Sequence, residues 1–207
     1  MGATGDPKTG GQALTELRDK LLDIVLREGY LRLEEPIQLR SGEWSHDFID
    51  GKRALAEGAD LEIACKALME MLAKRGIGFD AVGGLTLGAD HFAHGTAIVA
   101  HKKWFVVRKE PKGRGTNRLV EGAVLDSSVR VLLVDDVVST GGSIKQAWQS
   151  IQDTGAQIVA AVTLVDRGEV ANKFFADVGV PYLPLLTYQD LGIEPVGHGP
   201  DNASAAS

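Results

Sequence analysis

The chain has one cysteine, no long apolar run and no excess of basic residues, and each absence excludes a class of protein. Cys65 cannot form an internal disulfide or a cysteine metal cluster, and we expect a packed core thiol. No apolar stretch approaches the roughly 20 residues of a membrane-spanning helix, and the N-terminus lacks the apolar core of a signal peptide. A net charge of −6 at pH 7 argues against general nucleic-acid binding. We therefore expect a cytoplasmic protein that binds neither nucleic acid nor membrane.

Length and composition fit a single globular domain. The 207 residues include 44% hydrophobic residues, enough for a sizeable core. Residues 1–11 are rich in glycine and threonine and are predicted to be a disordered tail, and residues 194–207 a flexible one. One domain would then span residues 12–193, and its first part, about 12–50, would form a small hood over the rest.

The hydrophobic periodicity predicts an α/β fold in which helices cover both faces of a parallel sheet. Helices are expected at Leu14–Glu28, Asp60–Arg75, Ala89–Ala100, Ile144–Thr154 and Val170–Asp177. Strands are expected at Phe79–Gly83, Trp104–Val107, Val129–Val134, Gln157–Val165 and Tyr182–Leu186. Two short strands, within Ile37–Gly42 and Trp44–Asp50, would form a hairpin in the hood.

One stretch, Val131–Ser143, carries the strongest chemical signal. Its apolar run ends at two carboxylates, Asp135 and Asp136, and the small hydroxylic turn Ser139–Ser143 then enters a predicted helix. A strand, turn and helix in this order leave free backbone N–H groups and a positive dipole end facing one spot, which suits a phosphate. The carboxylates suit sugar hydroxyls or a nearby metal ion. The stretch therefore predicts a ribose 5-phosphate site, rather than a buried strand with solvated acids.

Four other features are candidate anion contacts. The glycine-rich turn Gly83–Gly88 enters a helix, although such turns also serve as plain connections. The segment Arg108–Arg118 carries five cations and one acid, which favours a polyanion such as pyrophosphate over an exposed basic loop. Arg40 lies beside a glycine turn, where a solvated strand end is the alternative. Arg167 follows a buried strand, at the edge where parallel sheets bind ligands, and a surface ion pair is its alternative.

These segments resemble those of one enzyme family. Val131–Ser143, with four apolar residues, two acids, two spacers and a hydroxyl/glycine loop, resembles the phosphoribosyl diphosphate (PRPP) motif of the type I phosphoribosyltransferases. Further segments, spread between about Leu14 and Ile193, resemble orotate phosphoribosyltransferase. They are Leu39–Gly42 with Phe48–Ile49, Val82–Asp90, Phe105–Lys112 and Leu164–Arg167. The resemblance implies a type I phosphoribosyltransferase-like parallel sheet, flanked by helices, with a small N-terminal hood.

The resemblance also implies roles for individual residues. Asp135 and Asp136 would hold the ribose hydroxyls, near a Mg²⁺ ion bound mainly through PRPP. The 5-phosphate loop would comprise Val137, Val138, Ser139, Thr140, Gly141, Gly142 and Ser143. A mobile loop from the other subunit of a homodimer would bind the pyrophosphate through Arg108, Lys109, Lys112 and Arg114. Orotate would be surrounded by Arg40, Phe48, Ser139 and Arg167. The candidate catalytic residues are Lys112, Arg114, Asp135 and Asp136.

The implied reaction converts orotate and PRPP to orotidine 5′-monophosphate and pyrophosphate, in de novo pyrimidine biosynthesis. One alternative is a related transferase for another base, although Arg40 and Arg167 favour an acidic base. The other alternative is a non-catalytic PRPP-sensing regulator that binds nucleic acid through its basic loop. The acidic net charge and the lack of a DNA-reading module count against it.

Three positions depart from the pattern that is frequent in the family. Arg114 stands where many members have a histidine, and an arginine binds pyrophosphate but does not shuttle a proton at neutral pH. Leu87 stands where many members have a lysine. Arg40 replaces another frequent lysine and keeps its charge. The departure at Arg114 bears most directly on the rate of turnover.

Overall fold

The computed structural model describes residues 7–39, 42–111 and 118–197. The N-terminal elements are, in chain order, α1 (Pro7–Ile24), a π-helical turn (Val25–Gly29), β1 (Tyr30–Gln38), β2 (Trp44–Ile49) and α2 (Gly51–Ala54). They are followed by α3 (Gly58–Lys74), β3 (Ala81–Leu85), α4 (Asp90–Ala100), β4 (Lys103–Val107), β5 (Val120–Gly122), β6 (Arg130–Val138), α5 (Gly142–Gln152), β7 (Gln157–Asp166), α6 (Val170–Asp177) and β8 (Tyr182–Thr187).

A six-stranded sheet lies at the centre of the molecule, in the order β5-β4-β3-β6-β7-β8. Strand β5 runs antiparallel to β4, whereas the other neighbouring strands are parallel. Side chains along β6 point alternately to the two faces, because the side-chain period of a strand is two. Leu132 and Val134 belong to the cluster under α1, α3 and α4, and Val131 and Leu133 to the one under α5 and α6. The predicted helix-covered parallel sheet is confirmed.

The helices bury the apolar stripes that their sequences predict. In α3, Ala64, Leu68 and Leu72 recur every four residues and are at most 1% exposed. Cys65 lies on the same face with no exposed surface, and burial raises the pKa of its thiol to about 11. Cys65 is therefore the packed core thiol that the sequence predicts. None of the helices in the described ranges is long and apolar enough to cross a bilayer.

The N-terminal hairpin forms a separate two-stranded sheet, in which β1 and β2 pair antiparallel. Strand β1 begins at Tyr30, earlier than the predicted Ile37, because Tyr30 and Leu31 pair with the end of β2. The hairpin is tied to the body of the molecule at its base, where the Asp50 N–H donates to the Gly29 carbonyl at 2.9 Å. This small hood therefore stands on the sheet at the end where α2 contacts β6.

Parts of both predicted tails lie within the described residues, and the flexibility predicted for the tails stays a prediction. Residues 7–11 are the first turns of α1, with Pro7 at the first helical position, where a fixed φ and a missing N–H cost nothing. At the other end, residues 194–197 pack on the domain. Val196 is only 5% exposed, and its N–H donates to the Arg167 carbonyl at 2.7 Å. Residues 1–6 and 198–207 lie outside the described residues.

Candidate active site

The carboxyl ends of β3, β6 and β7 lie side by side, and the predicted ligand residues gather there. Because these strands are parallel neighbours, the segments that follow them open into one crevice. Strand β6 extends to Val138, which pairs with Asp166 on β7. The two motif aspartates therefore lie within the strand, not after it as the sequence predicts, because pairing with β7 continues past them.

The carboxylates of Asp135 and Asp136 form the floor of the crevice. The two residues are 4% and 7% exposed. The Val137 N–H donates to Asp136 Oδ1 at 2.7 Å, and the Asp136 N–H donates to Asp135 Oδ1 at 3.1 Å. Lys52 Nζ, from α2, lies 3.3 Å from Asp136 Oδ2. A carboxylate oxygen can accept two hydrogen bonds, so the oxygens of Asp136 can accept a ligand hydroxyl in addition to these partners.

The glycine-rich turn after β3 lies against these carboxylates. A Cβ on Gly88 would lie 2.8 Å from Asp136 Oδ1 and 3.0 Å from Asp135 Oδ1. The turn is fixed at Thr86, whose N–H donates to the Val107 carbonyl at 2.9 Å and whose hydroxyl donates to Asp90 Oδ2 at 2.7 Å. The absence of a side chain at position 88 thus allows the backbone of the turn to pack against the carboxylate oxygens.

The predicted phosphate loop leads from β6 into α5. Gly141 adopts a left-handed conformation with φ of 73°, which a glycine accommodates without strain, and α5 begins at the next residue. The first N–H groups of α5 have no carbonyl of an earlier turn to bind, and they carry the positive end of the helix dipole. The loop Ser139–Ser143 therefore provides the backbone donors that the sequence predicts for a phosphate.

Arg167 is a buried cation with unused donors. It is 3% exposed, and its Nη1 donates to the Asp47 carbonyl at 2.8 Å. Its Nε and Nη2 have no hydrogen-bond partner among the residues that the structure describes. Burial lowers the pKa of this guanidinium from its usual value. A buried cation with unpaired N–H groups is costly, and an anionic ligand would remove that cost.

Asp47, a residue that the sequence analysis missed, connects the hood to Arg167. Its carboxylate accepts hydrogen bonds from Arg32 Nη1 at 2.7 Å and from the Tyr30 hydroxyl at 2.8 Å. Burial alone would raise the pKa of Asp47, but these two hydrogen bonds and the nearby arginines lower it. Phe48, predicted to contact the base, follows Asp47 on β2 and is half-buried. The local sequence carries no signal for Asp47, because its partners come from β1 and β7.

The C-terminal segment forms another wall of the crevice. A Cβ on Gly168 would lie 2.1 Å from the Val196 carbonyl oxygen, and one on Gly197 would lie 2.7 Å from the Ser139 carbonyl oxygen. The Gly197 N–H also donates to a carboxylate oxygen of Glu43 in the hood. The segment thus contacts the phosphate loop, the residues after β7 and the hood.

The described part of the basic segment lies beside α5. Arg108 Nη1 is 3.3 Å from Glu121 Oε1, and the Lys109 carbonyl accepts a hydrogen bond from Gln146 Nε2 at 2.9 Å. The other predicted contacts of this segment, Lys112 and Arg114, lie outside the described residues, as does Arg40. The structure thus brings together the aspartates, the phosphate loop and Arg167, with Arg108 and Lys109 at the margin.

The carboxylate pair has the donor chemistry that Mg²⁺ prefers. Among the described ranges, no three acidic, histidine or cysteine side chains group closely enough to hold a metal ion by themselves. Asp135 and Asp136 nevertheless present adjacent oxygen donors, and Mg²⁺ is usually bound by one or two carboxylates together with water and substrate phosphates. The residues present therefore fit a magnesium ion that arrives with a phosphorylated substrate.

Comparisons with known proteins agree with this geometry. Residues 53–173 match the family model of the phosphoribosyl transferase domain. The orotate phosphoribosyltransferase of Thermococcus gammatolerans is 34% identical over 178 residues, which cover 86% of this chain and 93% of that protein. The Mycobacterium tuberculosis orotate phosphoribosyltransferase, crystallised with Fe(III) dicitrate, superposes with a TM-score of 0.72 at 32% identity. The match covers 86% of this chain and 99% of that one.

A second crystal structure of the M. tuberculosis enzyme was determined in complex with PRPP. It superposes with a TM-score of 0.69 at 31% identity, over 86% of this chain and 99% of that one. The residues that match the family model, 53–173, include the carboxylate pair and the phosphate loop, for which the sequence predicts a ribose 5-phosphate site. The chain belongs to the orotate phosphoribosyltransferases, a family of pentosyltransferases.

Proposed function

We propose that this crevice joins orotate to the ribose 5-phosphate of PRPP, which yields orotidine 5′-monophosphate and pyrophosphate for pyrimidine biosynthesis. The observation that carries the proposal is the buried Arg167, whose Nε and Nη2 lack a partner among the described residues. A planar guanidinium binds a carboxylate through two parallel hydrogen bonds. Orotate carries a carboxylate that would occupy these donors, whereas uracil and the purine bases would leave them unpaired.

Asp135 and Asp136 hold the ribose, and the loop Ser139–Ser143 holds its 5-phosphate. The phosphate binds the backbone N–H groups at the start of α5, where the helix dipole favours an anion. The carboxylates accept hydrogen bonds from the ribose hydroxyls on the floor of the crevice. Asp135 and Asp136 would hold a Mg²⁺ ion that arrives with PRPP, and the ion would supply positive charge that stabilises the leaving group.

The chemical step needs charge stabilisation more than it needs a base. A ring nitrogen of orotate loses its proton and forms a bond to the anomeric carbon of the ribose, while the electron pair of the breaking C–O bond leaves with pyrophosphate, whose oxygens can accept the proton. The transition state resembles an oxocarbenium ion, as in glycoside cleavage. Arg108, Lys109, Lys112 and Arg114 stabilise the departing negative charge. The negative charge of orotate is on its carboxylate, so the ring N–H proton is released during the step, and the anionic pyrophosphate oxygens can take it up.

The active assembly is a homodimer in which the basic segment of one subunit reaches the site of the other. An exposed apolar patch supports this arrangement. Ile98 on α4 is 74% exposed, Trp104 on β4 is 46% exposed and Val124 after β5 is 73% exposed. Exposed apolar clusters commonly mark contact surfaces. Trp104 lies near the start of β4, and the basic segment leaves the strand at its other end, after Val107.

An absorbance assay tests the function directly. Orotate absorbance should fall when PRPP and Mg²⁺ are added, and uracil, hypoxanthine and adenine should give little turnover under the same conditions. Omission of either PRPP or Mg²⁺ is the control. Turnover with a neutral base alone would contradict the proposed role of Arg167.

A further inference from the structure

We propose that Lys52 is a positioning residue for the transferase reaction: it orients the Asp136 carboxylate for the ribose and offsets its charge. The inference rests on the proposed function, in which Asp136 binds the ribose hydroxyls. Lys52 Nζ lies 3.3 Å from Asp136 Oδ2, although the two residues are 84 positions apart in the sequence. Lys52 lies on α2, outside the PRPP motif, the glycine-rich turn and the basic segment.

The first argument is geometric. The Val137 N–H donates to Asp136 Oδ1 at 2.7 Å and fixes the position of that oxygen. This bond alone would still allow Oδ2 to move. The Lys52 ammonium holds the second oxygen. With a partner on each oxygen, the plane of the carboxylate is set before the substrate arrives. Preorganised acceptors of this kind lose less entropy when a hydroxyl binds.

The second argument concerns how the chain brings Lys52 to this position. Asp50 caps α2, and its Oδ1 accepts the N–H groups of Lys52 and Arg53, both at 3.1 Å. A Cβ on Gly51 would lie 2.8 Å from the Asp136 Cβ. The backbone of α2 therefore packs directly on β6. The Asp50 cap fixes the N-terminus of this short helix, and the contact of Gly51 with Asp136 fixes the side that faces β6. Lys52 is held close to Asp136 by this packing and not only by the flexible reach of its own side chain.

The third argument is electrostatic. PRPP is a polyanion, and it must approach a floor that already carries two adjacent carboxylates, Asp135 and Asp136. Opposite charges at short range reduce such repulsion, most strongly where water is excluded. The Asp136 side chain is 10% exposed, whereas that of Lys52 is 56% exposed. Lys52 can thus compensate a buried charge without being buried itself, which avoids most of the cost of desolvating a second ion.

Two substitutions of Lys52 and one matched control test the inference. Lys52→Met removes the charge and keeps the length of the side chain, and Lys52→Arg keeps the charge. Lys66→Met is the control, because Lys66 is 52% exposed and forms an ion pair with Glu62 on the solvent side of α3. Asp136→Asn is measured in parallel. The readouts are KM for PRPP, KM for orotate, kcat and the thermal midpoint of the full chain.

We expect Lys52→Met to raise KM for PRPP by about tenfold or more and to change KM for orotate less than about twofold. Lys52→Arg should restore most of the PRPP affinity, and the thermal midpoints of all Lys52 variants should stay within about 2 °C of the unsubstituted chain. Lys66→Met should behave like the unsubstituted chain. A rise in KM for PRPP without a similar rise in KM for orotate is not expected of a residue that only stabilises the fold.

Other outcomes would overturn the inference. Equal loss for both substrates, a large fall in the thermal midpoint, or the same effect from Lys66→Met would assign Lys52 to folding or to general surface charge. If Asp136→Asn impairs PRPP use but Lys52→Met does not, the positioning role is wrong while the proposed function stands. If Asp136→Asn leaves PRPP use unchanged, the proposed ribose site itself is wrong, and the role of Lys52 falls with it.

Discussion

Asp166 and Arg167 are consecutive residues at the end of β7, and burial moves their pKa values in ways that favour the neutral form of each. Burial raises the pKa of the Asp166 carboxyl to about 6, although the Gly168 N–H donates to it at 3.1 Å. Burial also lowers the pKa of the Arg167 guanidinium, which nevertheless stays charged at neutral pH. The charged forms of these two buried side chains therefore lower the stability of the fold at neutral pH. A bound ligand can restore part of that stability.

We predict that Arg167→Gln raises KM for orotate by about two orders of magnitude and leaves KM for PRPP nearly unchanged. The glutamine keeps a donor for the Asp47 carbonyl but cannot form two parallel hydrogen bonds to a carboxylate. Steady-state kinetics with each substrate varied in turn measures this. Arg130→Gln is the control, because Arg130 forms an exposed ion pair with Asp80 at the start of β6, at the end opposite the crevice. Similar losses from the two variants would contradict the role of Arg167.

A second prediction concerns the dependence of stability on pH. The pKa of Asp166 is higher in the folded chain than its usual value of 3.8, so its contribution to stability is full below about pH 4 and is lost as pH rises through about 6. Asp166→Asn should therefore raise the thermal midpoint above pH 6 and have little effect near pH 4. Thermal unfolding across this range measures the difference. Asp177→Asn, at an exposed position, is the control and should shift the midpoint little at any pH. If it shifts the midpoint with the same pH dependence as Asp166→Asn, the effect does not come from the buried Asp166 carboxyl.

At the scale of elements, the turn between β3 and α4 and the basic segment after β4 have opposite requirements. The turn packs against the carboxylates at Gly88, where an added Cβ would displace a carboxylate oxygen. The basic segment must bring cations to a leaving group. One is therefore sensitive to added volume and the other to lost charge.

We predict that Gly88→Ala raises KM for PRPP at least about tenfold, because the added Cβ would lie 2.8 Å from Asp136 Oδ1 and must displace it. Gly58→Ala is the matched control, since a Cβ there meets nothing within 4 Å. Kinetics and thermal midpoints of both variants are compared. Unchanged PRPP kinetics in Gly88→Ala would mean that the turn does not border the ribose site.

For the basic segment, we predict that Lys112→Ala lowers kcat by at least about tenfold with little change in the thermal midpoint. The segment has few apolar residues to bury, so it adds little to stability, whereas loss of a cation beside the leaving group affects turnover. Lys173→Ala, an exposed position on α6, controls for general charge effects. A fall in the thermal midpoint that matches the loss of kcat would contradict the assignment.

The elements whose structure is decided locally were predictable from the sequence. Helix α6 occupies Val170–Asp177 as predicted, and the turn Ser139–Gly141 lies between β6 and α5, because its glycine and hydroxyl residues favour a turn. Asp47 and Lys52 were not found, because their functional contacts are with residues far away in the sequence. The contacts of residues 194–197 also escaped prediction, since small residues there pack on other segments rather than follow a local period.

At the scale of the whole molecule, the proposed sharing of the basic segment between subunits makes a quantitative prediction. Lys112→Ala and Asp136→Asn damage different parts of the site. If the segment acts on the partner's site, a mixed dimer contains one doubly damaged site and one intact site. Co-expression of the two variants in equal amounts should then recover about a quarter of the normal turnover, because half of randomly assorted dimers are mixed.

Separately purified variants, assayed alone, are the controls for this experiment. Sedimentation of the unsubstituted chain establishes the dimer independently. Activity of the co-expressed sample that does not exceed the mean of the two single variants would indicate that each segment serves its own subunit.

The contact of Gly197 with Glu43 and Ser139 also has a consequence for how the protein is made. The pocket around Arg167 needs chain positions from 43 to 197, so a ribosome must synthesise nearly all of the described chain before the pocket exists. N-terminal segments emerge first and can begin to fold on their own. A nascent chain should therefore acquire its helices and inner strands early, yet gain the ability to retain orotate only near the end of translation.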